Sequence, residues 1–280
     1  MAAGAAAAGA AAPAIAVVTG GASGIGAALC EVLARRGARV VCADLDGDGA
    51  AAMAARLRAR GRDATGVRVD VTSADDVAAL AAATLAREGR VDLWINNAGI
   101  AVGGAADELE LADWRRVLDV NLAGVIHGIH AIYPHMIRRG AGHIVNMASA
   151  AGLAPYPLAL PYTTSKHAVV GLSQALRAEA RGRGVRVSVA CPGVIDTPIW
   201  QRSEVRGGLA KVRERLLARR PAPMPAERCA EAILRGVDAN LAVIPVTVEA
   251  RVAWWLHRLS PALSGWIASR LAAKAFAMTR

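Results

Sequence analysis

Aromatic side chains are scarce in this sequence: six Trp, three Tyr and a single Phe make up 4% of its 280 residues. Its core must therefore be aliphatic, and it lacks the interleaved basic and aromatic strands on which single-stranded nucleic acid stacks. Lysine is as rare, with Lys166, Lys211 and Lys274 the only three among 33 basic side chains. The four cysteines (Cys30, Cys42, Cys191, Cys229) lie far apart, form no CxxC pair and have no histidine at metal-ligand spacing. That excludes a disulfide framework or a zinc site and predicts buried, reduced thiols in a cytosolic protein. His127 and His130 stand three apart on a predicted helix, with no carboxylate placed to complete a metal site. Charge is absent from Met1 to Cys30, yet no basic stretch precedes the apolar one, and "MAAGAAAAGAAAPA" is low-complexity rather than strongly apolar. Residues 1–12 are expected to form a disordered leader rather than a signal peptide. No other window reads as a transmembrane helix.

What is present suits a packed domain. Hydrophobic residues reach 54%, which excludes a disordered chain, and 280 residues suffice for one large α/β domain or two small ones. The net charge of +10 is uneven: residues 1–200 hold 19 basic and 17 acidic side chains, residues 201–280 hold 14 and 6. The basic character thus belongs to the C-terminal part. With no nucleic-acid module to use it, an acidic membrane surface is the better candidate partner and no nucleic acid is expected.

Apolar runs alternate with helical periodicity along the chain. Strands are expected at 14–18, 38–44, 66–71, 91–99, 143–149, 184–193 and 241–246. Helices are expected at 24–37, 48–60, 74–88, 112–139, 161–182 and 226–239. Strands apolar nearly throughout, joined by crossover helices, imply a parallel sheet covered on both faces. The fold class is α/β: a single doubly wound Rossmann-type domain over 13–247, with a mostly parallel seven-stranded sheet, followed by a helical extension over 248–280.

Two local patterns carry chemistry. "VVTGGASGIGAAL" puts a glycine turn between the first strand and the first helix. There Gly20 and Gly24 let the backbone approach a ligand, Gly26 permits close packing, and the helix N-terminus offers N–H groups to a pyrophosphate. Asp44 ends the second strand, where a carboxylate accepts hydrogen bonds from ribose hydroxyls and repels a 2′-phosphate, so NAD is expected and NADP is disfavoured. In "YTTSK", Tyr162 and Lys166 lie one helical turn apart. A free tyrosine is a poor base at neutral pH, and a nearby ammonium can lower its pKa into use.

Together "TGGASGIG" (19–26), "NNAG" (96–99), Asn121 in "DVNLAG", Ser149 in "IVNMASAAG", "YTTSK" (162–166) and "PGVIDTP" (192–198) resemble the short-chain dehydrogenase/reductase family. The resemblance implies an NAD(P)-dependent oxidoreductase acting on CH–OH groups. It implies that Gly20, Ser23, Ile25 and Gly26 line the pyrophosphate, that Asp44 holds the ribose, and that Asp70 and Val71 flank the adenine. Asn97 would support the cofactor-side backbone, while Pro192, Val194 and Thr197 would face the nicotinamide. Asn121, Ser149, Tyr162 and Lys166 would form the catalytic set, and a homodimer or homotetramer would pack through helices around 112–139 and 161–182.

Residues 195–225 fall where that family places a substrate lid. Ile199, Trp200, Leu209 and Met224 could line an apolar pocket opposite Tyr156, Leu158 and Leu160, with core packing an equal explanation for the first four. A lipophilic secondary alcohol or its ketone is the expected substrate. In the extension, Ser260 and Pro261 read as an N-cap and first helical residue dividing two helices. Val252, Trp255, Leu256, Leu259, Leu263, Trp266, Ile267 and Leu271 form an apolar stripe accompanied by Arg251, Arg258, Arg270 and Lys274. The stripe reads as a core or oligomer face, a peripheral membrane contact, or a cover over a lipid-like substrate. Alternatives to the main reading are an NADP-linked 3-oxoacyl or other carbonyl reductase, and a non-catalytic cofactor-binding or membrane-surface protein.

Overall fold

The computed structural model describes residues 15–218 and 222–279, so the expected leader lies outside the described residues. Seven strands form one sheet: β1 (Ile15–Thr19), β2 (Arg39–Asp44), β3 (Ala64–Arg68), β4 (Leu93–Asn96), β5 (Gly142–Met147), β6 (Val185–Cys191) and β7 (Val243–Pro245). Their order across the sheet is β7-β6-β5-β4-β1-β2-β3, and every pairing is parallel. The chain winds outward from β1 in both directions, so the order reverses between β1 and β4, where such sheets open a ligand crevice.

The helices that cover the sheet are α1 (Gly24–Arg35), α2 (Gly47–Arg58), α3 (Ala74–Glu88), α4 (Leu111–Leu118), α5 (Gly124–Arg139) and α6 (Leu160–Ala180). After α6 come α7 (Ile199–Arg202), α8 (Gly207–Ala218), α9 (Ala226–Asp238), α10 (Val248–Leu259) and α11 (Pro261–Thr279). Alternation along each strand explains why the strands read as unbroken apolar runs. Ala16 and Val18 of β1 face the layer of α1, α2 and α9, whereas Ile15 and Val17 face the layer of α3, α5 and α6.

One long helix was expected over 112–139; the structure divides it. Between α4 and α5, residues Asp119–Ala123 form a single π-helical turn. Such a bulge widens the helix locally and turns a side chain out of the regular pattern. The side chain is that of Asn121, which is fully buried. A second feature without an apolar signature is a buried polar chain. Trp94 Nε1 donates to Asn96 Oδ1 (2.7 Å), Asn96 Nδ2 to Asn146 Oδ1 (2.8 Å), and Asn146 Nδ2 to Ser173 Oγ (2.9 Å). Each member is satisfied, so the chain fixes the register of β4 on β5 and ties α6 to the sheet.

The segment 195–225 leaves and rejoins the body at one point, where Ile195 and Asp196 pair with Met224 and Pro225. It is fastened at its middle by Glu204–Val205 pairing with Val102–Gly103. Arg206 also donates to the buried carboxylate of Asp113 at 2.7 and 3.1 Å. The two tail helices meet where expected: Ser260 Oγ accepts from Leu263 N, and Pro261 begins α11.

Candidate active site

All the candidate residues gather at the carboxyl ends of the strands. After β1 the chain turns through Gly20 and Gly24 at φ of 64° and 55°, a left-handed conformation that favours glycine. A Cβ on Gly20 would lie 2.9 Å from Ala98 Cα, and one on Gly26 would collide with the Gly20 carbonyl and sit 2.5 Å from Asn97 Nδ2. Gly26 is therefore a packing glycine that lets α1 abut the turn. Ser23 caps α1 in extended conformation without a side-chain bond into the first turn; its hydroxyl accepts from Arg202 Nη1 at 3.3 Å. The leading N–H groups of α1, including those of Ile25 and Gly26, are thus left for an anionic ligand.

Asp44, half-buried at the end of β2, accepts from Ala22 N of the glycine turn (2.9 Å) and from Asp46 N (3.1 Å). These bonds aim the carboxylate at the turn and leave it acceptor capacity for a ribose. Arg68 stands in register with Asp44 on β3, a basic neighbour that lies 24 positions away in sequence and was not anticipated. Asp70 follows on the same edge, its carboxyl held below the ordinary range chiefly by the Thr72 hydroxyl. Val71 is buried beside it, against Gly124 of α5. Asn97 faces the turn rather than open space: its Nδ2 donates to the Thr19 and Gly20 carbonyls at 2.9 and 3.2 Å.

Asn121 is held by three bonds. Its Oδ1 accepts from Ile100 N (2.9 Å), while Nδ2 donates to the Ile100 carbonyl (2.9 Å) and to Ser165 Oγ (3.1 Å). The π turn thereby pins the loop after β4 to α6, next to Lys166. Lys166 is 4% exposed and donates from Nζ to the Met147 carbonyl at the end of β5 (2.8 Å). The same Nζ lies 5.5 Å from the centroid of the Tyr162 ring. Ser149 caps a 3-10 turn: its Oγ accepts from Ala151 N at 3.2 Å and donates to the Pro192 carbonyl at 3.5 Å, with the Tyr162 phenol close by.

The charges of this cluster depart from expectation. Burial pushes the Tyr162 phenol up to about 12, the neighbouring Ser149 hydroxyl pulling only part of the way back. Burial lowers Lys166 to about 8, and raises the enclosed Cys191 thiol to about 12. Desolvation disfavours phenolate and ammonium alike, and here it exceeds the pull of the one on the other. Lys166 therefore does not by itself hold the phenol below its ordinary value.

Across the cleft, Pro192 is buried and its carbonyl accepts from Ala150 N (2.8 Å); the Val194 carbonyl accepts from Met224 N (3.0 Å). Thr197 closes on the glycine turn, its Cβ 3.3 Å from where a Cβ on Gly24 would lie. Of the expected pocket residues, Met224 packs into the main core and Leu209 joins a cluster with Leu158, Val205, Ala275 and Met278. Ile199 and Leu160 are half-buried and Tyr156 is partly exposed, while the side chain of Trp200 lies outside the described residues. The fit to a dinucleotide is good: a glycine cradle that a Cβ would fill, a helix N-terminus without a side-chain cap and a ribose-height carboxylate converge beside a phenol, a hydroxyl and an ammonium.

A parallel doubly wound sheet with this cluster at its switch point defines a nicotinamide-dinucleotide oxidoreductase of the Rossmann type. The chain belongs to the short-chain dehydrogenase family, whose model matches residues 14–206. It is 42% identical to the D-threitol dehydrogenase of Mycolicibacterium smegmatis over 189 residues, covering 68% of this chain and 73% of that protein. It is also 42% identical over 223 residues to cis-4-hydroxycyclohexanecarboxylate dehydrogenase of Sinomonas cyclohexanicum, covering 78% and 87%. Among solved structures, a short-chain dehydrogenase/reductase from Burkholderia phymatum in complex with NAD superposes with a TM-score of 0.81 at 34% identity, over 89% of this chain and 94% of that one. A short-chain dehydrogenase from Sphingobium yanoikuyae in complex with NADPH gives a TM-score of 0.76 at 29% identity, over 91% and 94%. The fold, the family and oxidoreduction of CH–OH groups are therefore shown, and the family's cofactor is NAD or NADP.

Proposed function

We propose that the protein interconverts a lipophilic secondary alcohol and its ketone with NAD, using Tyr162 as the acid and base. The observation that carries this reading is the placement of Lys166 Nζ 5.5 Å from the centroid of the Tyr162 ring, beside Ser149 and the glycine cradle. When bound, the dinucleotide supplies the hydride acceptor or donor and, in its oxidised form, a positive charge. The chain's own groups manage the proton. With its pKa raised to about 12, Tyr162 is protonated at neutral pH and donates to a carbonyl oxygen during ketone reduction. In alcohol oxidation it must first lose that proton, which the Lys166 ammonium and the oxidised cofactor both favour. Ser149 holds the substrate oxygen and stabilises its developing charge. Asn121 acts as a positioning residue by fixing the loop at Ile100 against α6.

NAD is preferred because Asp44 meets the ribose. Arg68 beside it supports the second reading, an NADP-linked carbonyl reductase with the same catalytic set. The apolar substrate rests on the Leu158, Val205 and Leu209 cluster and on Tyr156 near Tyr162. A homodimer or homotetramer through α5 and α6 is supported by an apolar hollow of about 310 Å³ lined by Ile126, Ile129, Tyr133 and Leu172. The four buried free thiols fit a cytoplasmic setting. The deciding experiment compares wild type with Tyr162→Phe against steroids, retinoids, aliphatic alcohols, hydroxyacyl esters and polyols. The expected result is NAD-linked turnover of an apolar secondary alcohol that falls by roughly a hundredfold or more in the variant, with NAD affinity retained. Undiminished turnover in Tyr162→Phe would refute the mechanism, and a preference for polyols would refute the substrate class.

A further inference from the structure

Nine of the fourteen large hydrophobic side chains exposed among the described residues belong to α10 and α11, which makes this pair the molecule's main unpartnered apolar surface. On α10 the residues are Val248, Val252, Trp255 and Leu259; the last two are 57% and 80% exposed. Their spacing of four, three and four residues places them in one stripe along the helix. Arg251 and Arg258 each follow a stripe residue by three positions and border that stripe. On α11, Leu263, Ile267 and Leu271 repeat every fourth residue, with Trp266 57% exposed beside them and Arg270 and Lys274 on the same face.

The opposite faces are already engaged. Ala250, Ser264, Ala268 and Ala275 are buried, and His257 Nδ1 meets Ser264 Oγ at 2.8 Å to join the two helices. The end of α11 packs on the lid, where Ala275 and Met278 touch the cluster around Leu209 and Leu158. The outward stripe therefore contributes to no core.

Charge decides what the stripe meets. From residue 248 onward the sequence has one acidic side chain, Glu249, against five basic ones. A second copy laid on this face would set arginine against arginine with almost no carboxylates to answer them, whereas an anionic lipid leaflet supplies the counter-charge. The side-chain chemistry agrees: Arg270 lies 5.2 Å over the exposed Trp266 ring, a pair in which an amphipathic ring and a cation share the headgroup depth. Among the described residues no helix is long and apolar enough to cross a membrane, so the contact is one of lying on the surface. We infer that the exposed face of α10 and α11 docks on an anionic lipid surface. Docking there sets the lid beside the leaflet; this consequence for substrate entry rests on the lipophilic-substrate reading, whereas the docking does not.

The test is flotation of the full chain with vesicles of phosphatidylcholine mixed with phosphatidylglycerol, and with vesicles of phosphatidylcholine alone. Wild type is expected to float with the mixed vesicles, to be released by added salt, and to stay behind with the neutral ones. The Val252→Glu/Trp255→Glu/Leu259→Glu and Arg258→Glu/Arg270→Glu variants are expected to lose roughly tenfold or more of that retention. Their mass by light scattering and their turnover of a small water-soluble alcohol should match wild type. Failure to float, equal retention on neutral vesicles, or a change in mass in the apolar variant, which would mark the stripe as a contact between copies, would each overturn the inference. Normal docking without turnover of any lipophilic alcohol would support it while refuting the substrate reading.

Discussion

Replacing Lys166 by methionine should make the protein relatively more stable at neutral pH while removing its activity, and the pH dependence identifies the cause. The ammonium is 4% exposed, and burial lowers its pKa from 10.5 to about 8. That displacement is worth roughly 3 kcal/mol between the two protonation states. The sign follows from proton counting. Below pH 8 folded and unfolded chains both carry the proton, and the full desolvation penalty weakens the fold. Between about 8 and 10.5 the unfolded chain holds more protons than the folded one, so wild-type stability rises with pH through this window. Methionine has a similar length and no charge, so the variant lacks that rise. It also loses the 2.8 Å bond to the Met147 carbonyl, an offset of about 1.5–3 kcal/mol while the donor is charged and about 0.5–1.5 once it is neutral, which sets the absolute difference. The quantity to measure is therefore how the difference in unfolding free energy between variant and wild type changes from pH 7 to pH 10, by urea titration. It should shift by about 2–3 kcal/mol in favour of wild type as pH rises. Parallel profiles would show that Lys166 is not held in a desolvated, proton-shedding state, and the description of the cluster would fail with them.

Two further outcomes test the cofactor cradle. Asp44→Ala should cut the NAD to NADP affinity ratio by roughly tenfold or more in fluorescence titrations with the reduced dinucleotides, because a charge-assisted ribose contact is worth about 1.5–3 kcal/mol and Arg68 remains to meet a 2′-phosphate; an unchanged ratio would remove Asp44 from the site. Gly26→Ala should destabilise the fold by about 1–3 kcal/mol and abolish dinucleotide binding, since its methyl would meet the Gly20 carbonyl and Asn97. Its control is Gly171→Ala in α6, where a Cβ meets nothing within 4 Å and about 0.5–1 kcal/mol should be gained in the same urea titration.

The parts of the molecule legible in the sequence are those whose signal is local. A strand buried on both faces shows as an apolar run, a phosphate turn shows as glycines between a strand and a helix, and Tyr162 and Lys166 declare themselves because four residues make one helical turn. The segment from 195 to 225 is bounded by short strands that pair, Ile195–Asp196 with Met224–Pro225. What escaped depends on contacts between distant residues. Nothing within 112–139 marks the π turn, which is defined by Asn121 reaching Ile100 and Ser165. Arg68 meets Asp44 only through strand register. Met224, for which pocket lining and core packing are equal readings in the sequence, is partly buried against the main core. The spacing of Lys166 from Tyr162 can be read from sequence, but the desolvation that raises the phenol and lowers the ammonium cannot.

That depth also bears on direction. Half-buried Tyr162 stands beside the buried Lys166 and Cys191, and desolvation drives each towards its neutral form. A site that disfavours charge keeps the phenol protonated, the state needed to hand a proton to a carbonyl oxygen. Oxidation asks for the opposite state, and under the proposed mechanism the Lys166 ammonium and the positive charge of an oxidised nicotinamide would together favour it.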